Sequence, residues 1–351
     1  MQLLNSPIKI NNKCYNSNYF SDNAPSIFFS QSTFLTAIYS FLHEWYNDTN
    51  YITVNTSGST GSPTSIHLKK TVVLHSALKT CEIFKLSQDS TAVLALPVNY
   101  VAGKLMLIRA IACGLNLLLI EPDSNPILHI NGKIDFIALT PMQLKNGLPL
   151  HEKINLCHTI LLGGSPIDSS IMEQLNTYDS NIYQSYGMTE TATHVALRPI
   201  NHAETIQPYT AIPGVFFETD NRNCLLIYAK HVSKKAIVTN DIVELIDNTQ
   251  FYWKGRFDFV INTGGIKVFP EEIEKRISKV INFPFYITGK SDEKLGEKVV
   301  IIIQKENYDA YLKHEEKIKI LLSKYEIPRD IIKVKKIRFS ENGKIIREIS
   351  L

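Results

Sequence analysis

The sequence predicts an α/β fold: a large N-terminal domain with mainly parallel sheets and a β-rich subdomain, followed by a small C-terminal α+β domain. Three observations predict it. From about Tyr51 to Tyr186, short apolar runs alternate with longer amphipathic stretches, which is the pattern of a parallel sheet covered on both faces. After Tyr209 the texture changes to short strands separated by turn residues. From Asp258 a further stretch of roughly 90 residues carries its own helices and strands, a usual size for a domain. The boundaries drawn are 1–257 for the first domain, with the β-rich subdomain at about 209–257, and 258–351 for the second.

The elements follow in chain order. Tyr51 to Asn55, Thr91 to Leu96, Leu115 to Ile120, Phe136 to Leu139, Thr159 to Leu162 and Asn181 to Gln184 read as strands, because each is a short apolar run bounded by polar or turn residues. Lys70 to Leu86, Val101 to Cys113 and Asp168 to Thr177 read as helices, the last announced by Pro166 and Asp168. Val215 to Phe217, Leu225 to Tyr228, Ile242 to Ile246 and Phe251 to Trp253 are the short strands of the subdomain. Pro270 opens a helix, with Glu271 and Glu272 in a first turn whose dipole favours acids. Strands at Phe285 to Gly289 and Lys298 to Ile303, a helix at Tyr308 to Tyr325 and a strand at Ile331 to Ile337 complete the chain.

Composition bounds the function. The 351 residues are 44% hydrophobic and 20% charged, which excludes a disordered chain. A net charge of +3 argues against a dedicated nucleic-acid binder. Cys14, Cys81, Cys113, Cys157 and Cys224 are odd in number and widely spaced, which argues against a disulfide framework or a zinc site and for a reducing cytoplasm. Residues 1–17 lack the apolar core of a secretory signal, and Arg109, Gly114 and Asn116 interrupt the longest apolar stretch, so no membrane span is expected.

Four segments carry candidate chemistry. Thr56-Ser57-Gly58-Ser59-Thr60-Gly61-Ser62-Pro63 follows a strand and offers many N–H and O–H donors, as a phosphate cradle does and as a plain linker also does. It lacks the Gly-Lys ending of a Walker loop. Ser185-Tyr186-Gly187-Met188-Thr189-Glu190-Thr191 lies at a strand end, where open α/β sheets bind ligands. There Glu190 is suited to Mg²⁺, Thr189 to a phosphate and Tyr186 to a base. Arg256 stands in Lys254-Gly255-Arg256-Phe257-Asp258 at the domain boundary, and Asp241 suits two vicinal hydroxyls. In Glu341-Asn342-Gly343-Lys344, Asn-Gly predicts a tight turn that presents Lys344. Taken singly, the last two segments read as surface turns more readily than as a site.

Together and in this order they resemble the adenylate-forming superfamily of acyl-CoA synthetases, luciferases and peptide-synthetase adenylation domains, from about Tyr51 to Leu351. Leu96 to Gly103 with Arg109, Thr140-Pro141-Met142-Gln143-Leu144, Leu161 to Ile167 and Tyr186 to Ala192 look like the o-succinylbenzoate–CoA ligases within it. The resemblance implies an acid–thiol ligase that uses ATP, Mg²⁺ and CoA, with o-succinylbenzoate as the acid; other aryl or acyl acids, or a carrier-protein thiol, are the alternatives. It implies that Thr56 to Gly61 hold the ATP phosphates, and that Gly163, Gly164, Ser165, Tyr186 and Gly187 frame adenine. Asp241 and Arg256 would hold the ribose, and Glu190 the metal beside Thr189. Lys344 would be the catalytic lysine and Asp258 the hinge of a mobile C-terminal lid. Gly264 and Gly265 would approach CoA, and Tyr100 and Arg109 would line the acid pocket. A cytoplasmic enzyme, as a monomer or homodimer, is the setting implied.

The chain departs from the family pattern in three places. Thr64 stands where the phosphate loop ordinarily has lysine, leaving Lys69 or Lys70 to replace it. Tyr100 stands where histidine is common, and Phe339-Ser340 where a proline precedes the Gly-Lys turn.

Overall fold

The computed structural model describes residues 2–21, 28–55, 65–165, 167, 171–339 and 345–347. Two compact units make up the chain: Met1–Pro166 with Gln174–Val215 and Tyr228–Ile237, and Ile167–Glu173 with Phe216–Ile227 and Val238–Leu351. The α/β fold class read from the sequence is borne out.

The first unit begins with β1 (Ile8–Ile10), β2 (Lys13–Tyr15) and α1 (Thr33–Tyr46). Ser32 caps α1 by accepting the Leu35 N–H, and Phe34, Ile38, Phe41, Leu42 and Trp45 form its buried face at helical spacing. β3 (Tyr51–Asn55) and β4 (Ser65–Lys69) form an antiparallel pair in which Asn55 is opposite Ser65, so residues 56–64 join the two strands. Then follow α2 (Lys70–Phe84), β5 (Thr91–Leu94), α3 (Val101–Cys113), β6 (Asn116–Leu119), β7 (Ile134–Leu139), α4 (Pro141–Gly147), α5 (His151–Ile154), β8 (Cys157–Leu162), α6 (Met172–Leu175), β9 (Asn181–Gly187), β10 (His194–Pro199) and β11 (Tyr209–Ala211).

Strands β9, β8, β7, β5, β6 and β1 run parallel, and β10 and β2 flank them antiparallel. The central strands β7 and β8 are apolar along almost their whole length, as strands covered on both faces must be. β5 pairs with β6 on one side and β7 on the other, so the connections diverge at β5. Such a switch point opens a crevice at the carboxyl ends of the strands.

The second unit holds β12 (Val215–Thr219), β13 (Cys224–Ala229), β14 (Ile237–Asp247) and β15 (Gln250–Arg256) in sheet order. It continues with β16 (Ile261–Thr263), β17 (Ile266–Val268), α7 (Pro270–Ile277), β18 (Phe285–Asp292), β19 (Gly296–Gln304), α8 (Tyr308–Leu321) and β20 (Asp330–Val334). β19 is the spine of this last sheet, antiparallel to β18 and parallel to β20. Ile273 and Ile277 of α7 and Tyr311 and Ile318 of α8 pack with Ile287, Val299, Ile301 and Ile303 into one apolar core.

The structure corrects the reading of the cysteines. Cys81 and Cys113 form a disulfide, while Cys14, Cys157 and Cys224 are free. The two are 32 residues apart, and only the side-by-side packing of α2 and α3 brings their C-terminal ends together. Among the described residues, no helix is long and apolar enough to cross a membrane.

Candidate active site

The carboxyl ends of the parallel strands place one group of candidate residues. Leu139 is in register with Leu162, and Leu162 with Gln184, so Thr140, Gly163 and Ser185 lie at one level. The Gly163 N–H donates to Leu139 O, the Ser185 hydroxyl to Leu162 O at 2.8 Å, and the Gln184 amide to Ser165 O at 3.2 Å. These bonds fix Gly163, Gly164 and Ser165 beside β9. Thr140 and Gln143 form a reciprocal cap on α4, and the Gln143 amide also donates to Ala95 O beyond the end of β5. Tyr100 sits on the same edge, at the start of α3.

The strand read as ending at Gln184 runs on to Gly187, because Ser185, Tyr186 and Gly187 pair with β10. Gly187 permits this pairing: a β-carbon there would lie 2.3 Å from Thr193 O. The Thr191 hydroxyl accepts the Met188 N–H at 2.9 Å and donates back to Met188 O at 2.8 Å. Ala192 takes φ of +61°, a backbone state that costs about 1–3 kcal/mol in a non-glycine residue and persists only where its surroundings impose it. The result is a stitched loop that leaves Glu190 exposed and Thr189 half-buried. One carboxylate beside nucleotide phosphates is an arrangement that suits Mg²⁺, which keeps most of its shell as water and phosphate oxygen.

Arg109 lies deeper. Its side chain is 3% exposed, and its guanidinium carbon sits 5.7 Å from the centre of the Phe136 ring. NH1 donates to the Met106 sulfur at 3.3 Å. Among the described residues Nε has no hydrogen-bond partner, and no carboxylate pairs with the group. Burial lowers its pKa to about 10. His194, on β10, shares this environment. Its Nε2 is buried with no partner among the described residues, and burial, aided by the Arg109 charge, lowers its pKa to about 3, which favours the neutral imidazole. His194 carries no sequence signal; only its burial beside an uncompensated cation marks it. Lys104, close by in sequence, is engaged elsewhere: it pairs with Glu44 at 3.6 Å and donates to Thr53 O. Lys70 is likewise buried and donates to Asn47 O at 2.8 Å and Asn47 Oδ1 at 2.9 Å, which takes it away from the role of a loop lysine.

The second unit gathers the other group. Asp241 and Arg256, read as turn or boundary residues, are cross-strand partners in the β14–β15 ladder. Asp241 is 6% exposed, accepts the Trp253 indole N–H at 3.1 Å and lies 3.7 Å from Arg256 NH1. Arg256 NH2 reaches Asp258 at 2.8 Å, and the Asn240 amide donates to Asp258 at 3.1 Å. One carboxylate and one guanidinium on adjacent strands can accept from and donate to a pair of vicinal hydroxyls. Gly264 (φ +60°) and Gly265 (φ +80°) form the two-residue turn between β16 and β17, where left-handed backbone at both positions requires glycine.

Glu271, at the start of α7, accepts the Arg256 N–H at 3.3 Å and leaves Oε2 buried with no partner among the described residues. Burial raises its pKa from 4.5 to about 6. The protonated form is therefore favoured in the fold, and the stability it contributes is complete below pH 4.5 and lost as pH rises through about 6. Glu271→Gln, neutral throughout, is expected to unfold at the same denaturant midpoint as the parent near pH 4 and to be more stable by about 2 kcal/mol at pH 8. Urea melts at the two pH values measure this.

The structure thus collects Gly163, Gly164, Ser165, Tyr186, Gly187, Thr189, Glu190 and Tyr100 on one edge of the first unit, and Asp241, Arg256 and Asp258 together in the second. Thr56, Ser57, Gly58, Ser59, Thr60, Gly61 and Lys344 lie outside the described residues. A shallow groove of about 680 Å³ lined by Cys81, Glu82, Lys85 and Asp89 lies where α2 leads into β5. That is the amino end of the parallel strands, opposite the edge that binds ligands in such sheets.

Comparison with known proteins gives the family. The profile of the AMP-binding enzyme family matches residues 42–215. A crystal structure of an acyl-CoA synthetase (AMP-forming)/AMP-acid ligase II-like protein from Dyadobacter fermentans is 32% identical, over 90% of this chain and 93% of that one, with a TM-score of 0.60. The 2-succinylbenzoate–CoA ligase of Listeria monocytogenes is 26% identical over 83% of this chain and 68% of its own length. The o-succinylbenzoate CoA synthetase of Bacillus subtilis, solved with its acyl-adenylate intermediate, shares the fold with a TM-score of 0.69 at 19% identity, over 84% of this chain and 67% of that one. The chain belongs to the AMP-binding family of adenylate-forming enzymes.

Proposed function

We propose that the protein is an o-succinylbenzoate–CoA ligase acting in the cytoplasm, where its co-substrates ATP and CoA are held. The observation that carries the choice of acid is Arg109: a buried guanidinium with, among the described residues, no hydrogen-bond partner at Nε and no paired carboxylate. A buried cation is retained at a cost unless an anion meets it. A substrate with two carboxylates supplies that anion with one and reacts through the other. The Listeria and Bacillus relatives, whose names give this acid, support the same reading.

The reaction has two steps. A carboxylate oxygen attacks the α-phosphorus of ATP, forming the acyl phosphate bond as the bond to pyrophosphate breaks. The CoA sulfur then attacks the acyl carbon, AMP leaves, and the thiol proton is released. The protein contributes position and charge. Gly163, Gly164, Ser165, Tyr186 and Gly187 frame adenine; Asp241 and Arg256 hold the ribose hydroxyls; Thr56 to Gly61 hold the phosphates. Glu190 would hold Mg²⁺, which neutralises phosphate charge when bound, and Thr189 lies beside it. Lys344 bridges carboxylate and phosphate oxygens in the first step. The lid then turns about Asp258 and brings Gly264 and Gly265 to the thiol.

The test is product analysis by mass spectrometry, with MgATP and CoA and with o-succinylbenzoate, benzoate or a medium-chain fatty acid. Preferential formation of o-succinylbenzoyl-CoA is expected. Turnover of another acid alone keeps the adenylation chemistry and overturns the choice of substrate, and formation of an adenylate with no CoA thioester redirects the second step to a carrier-protein thiol.

A further inference from the structure

The disulfide between Cys81 and Cys113 closes a circuit of contacts within the first unit. Cys81 stands in the last turn of α2, Cys113 is the last residue of α3, and the two helices pack side by side. One turn beyond Cys81, the Phe84 ring lies 5.4 Å from the Phe136 ring of β7, centre to centre. One turn before Cys113, the Arg109 guanidinium rests on the same Phe136 ring at 5.7 Å. Residues four apart share a helix face, so Arg109 and Cys113 point the same way from α3. Two side chains on two helices therefore meet one ring, and the bridge ties those helices together. The bridge is also reachable. It lines the shallow groove of about 680 Å³, whose lips carry Glu82, Lys85, Ser87, Gln88 and Asp89. There Cys81 is 4% exposed, whereas Cys113 is half-buried.

We propose that the Cys81–Cys113 pair is a redox switch on acid binding, worked by a small thiol that enters this groove; this rests on the reading of Arg109 as the seat of the acid's second carboxylate. In a reducing compartment such as the cytoplasm proposed for this chain, disulfides are exchanged or sense redox state rather than stand as permanent staples. The groove has the volume of a small-ligand site, and lips of both charges suit a zwitterionic thiol of tripeptide size. Exchange begins at the more accessible sulfur. The small thiolate attacks Cys113 Sγ, the S–S bond breaks, and Cys81 leaves as a thiolate that takes up a proton. A second small thiolate then attacks the small-molecule sulfur of the mixed disulfide, releasing the small disulfide and the Cys113 thiol. Two small thiols are oxidised and one bridge is reduced; the same steps run backwards from the small disulfide close it. With the bridge open, α3 is no longer tied to α2, and Arg109 loses the constraint that fixes it on Phe136.

The experiment compares the full chain treated with glutathione disulfide and the same chain treated with glutathione, each freed of the reagent. Both carry Cys14→Ser, because Cys14 is exposed and would itself take up the probe. Thiol titration after unfolding reports the bridge: Cys157 and Cys224 alone react when it is closed, and Cys81 and Cys113 join them when it is open. Single-turnover pyrophosphate release is then measured against acid and against ATP concentration, with CoA left out because it is a thiol. Opening the bridge is expected to raise the half-saturating concentration of o-succinylbenzoate about 5- to 20-fold, the usual size of coupling between two sites, and to leave that of ATP unchanged. Closing it again is expected to restore the first value. Cys113→Ser is expected to behave as the open form under both treatments; where that variant does not fold, the two redox forms of the parent carry the test. A bridge that does not form with glutathione disulfide, a bridge that opens and closes with acid saturation unchanged, or an equal shift for ATP and acid overturns the proposal alone. Unchanged acid saturation in Arg109→Met overturns the Arg109 reading and the proposal together.

Discussion

Lys344→Ala should slow formation of the acyl-adenylate by about 10²- to 10³-fold and leave thioester formation from supplied acyl-adenylate close to the parent rate. The physical reason lies in where charge gathers. As the carboxylate closes on the α-phosphate, two anionic groups share one transition state, and a positive point charge between them is worth more there than in the ground state. The loss should therefore fall on kcat, with KM for ATP and acid little changed. Single-turnover pyrophosphate release against thioester formation measures the split. An equal fall in both half-reactions would remove Lys344 from this role.

Local signals made some elements legible to the residue. The sequence places a helix at Val101 to Cys113 and the structure has it there, because Gly114 follows in a left-handed conformation (φ +69°) that ends the helix. Tertiary partners decide the rest. β9 extends past Gln184 because β10 lies beside it, and β10 reaches that place only through the tight bend at Thr189 to Thr193. Helix α1 was legible in principle: Ser32 caps it and its apolar residues recur at helical spacing. Its aromatic content, which favours strands as readily as helices, blurs that signal.

The site divides the same way. Motifs name Asp241 and Arg256, but nothing local shows that they are cross-strand partners; that follows from the register of β14 on β15. Trp253 enters the group through the same register, as a donor to Asp241. Glu190 and Thr189 needed only their motif and a strand end. The disulfide between Cys81 and Cys113 and, among the described residues, the lack of a partner at Arg109 Nε and His194 Nε2 are facts of packing, and spacing along a chain does not report packing.

Arg109 offers a test in which substrate recognition and stability move in opposite directions. A structural arginine stabilises the fold through its partners, and truncating it destabilises. Arg109 has no paired carboxylate among the described residues, and burial lowers its pKa from 12.5 to about 10. That shift corresponds to a cost on the order of 3 kcal/mol at neutral pH for keeping it charged in the substrate-free protein. Arg109→Met, similar in length and apolar, removes the cost, so thermal unfolding without substrate should occur at a higher Tm. Stability falls back toward neutral to the extent that the Phe136 contact is lost. On the proposed reading, the same substitution would leave the second carboxylate of o-succinylbenzoate without its counter-charge, a loss of about 3–5 kcal/mol, or roughly 10²- to 10⁴-fold in kcat/KM. Acids with one carboxylate should lose nothing and, with the desolvated cation gone, should compete better. Specificity constants for o-succinylbenzoate and benzoate, measured beside Tm for parent and variant, decide the matter. A lower Tm with equal loss on both acids would make Arg109 a scaffold residue and return the choice of acid to an open question of pocket shape.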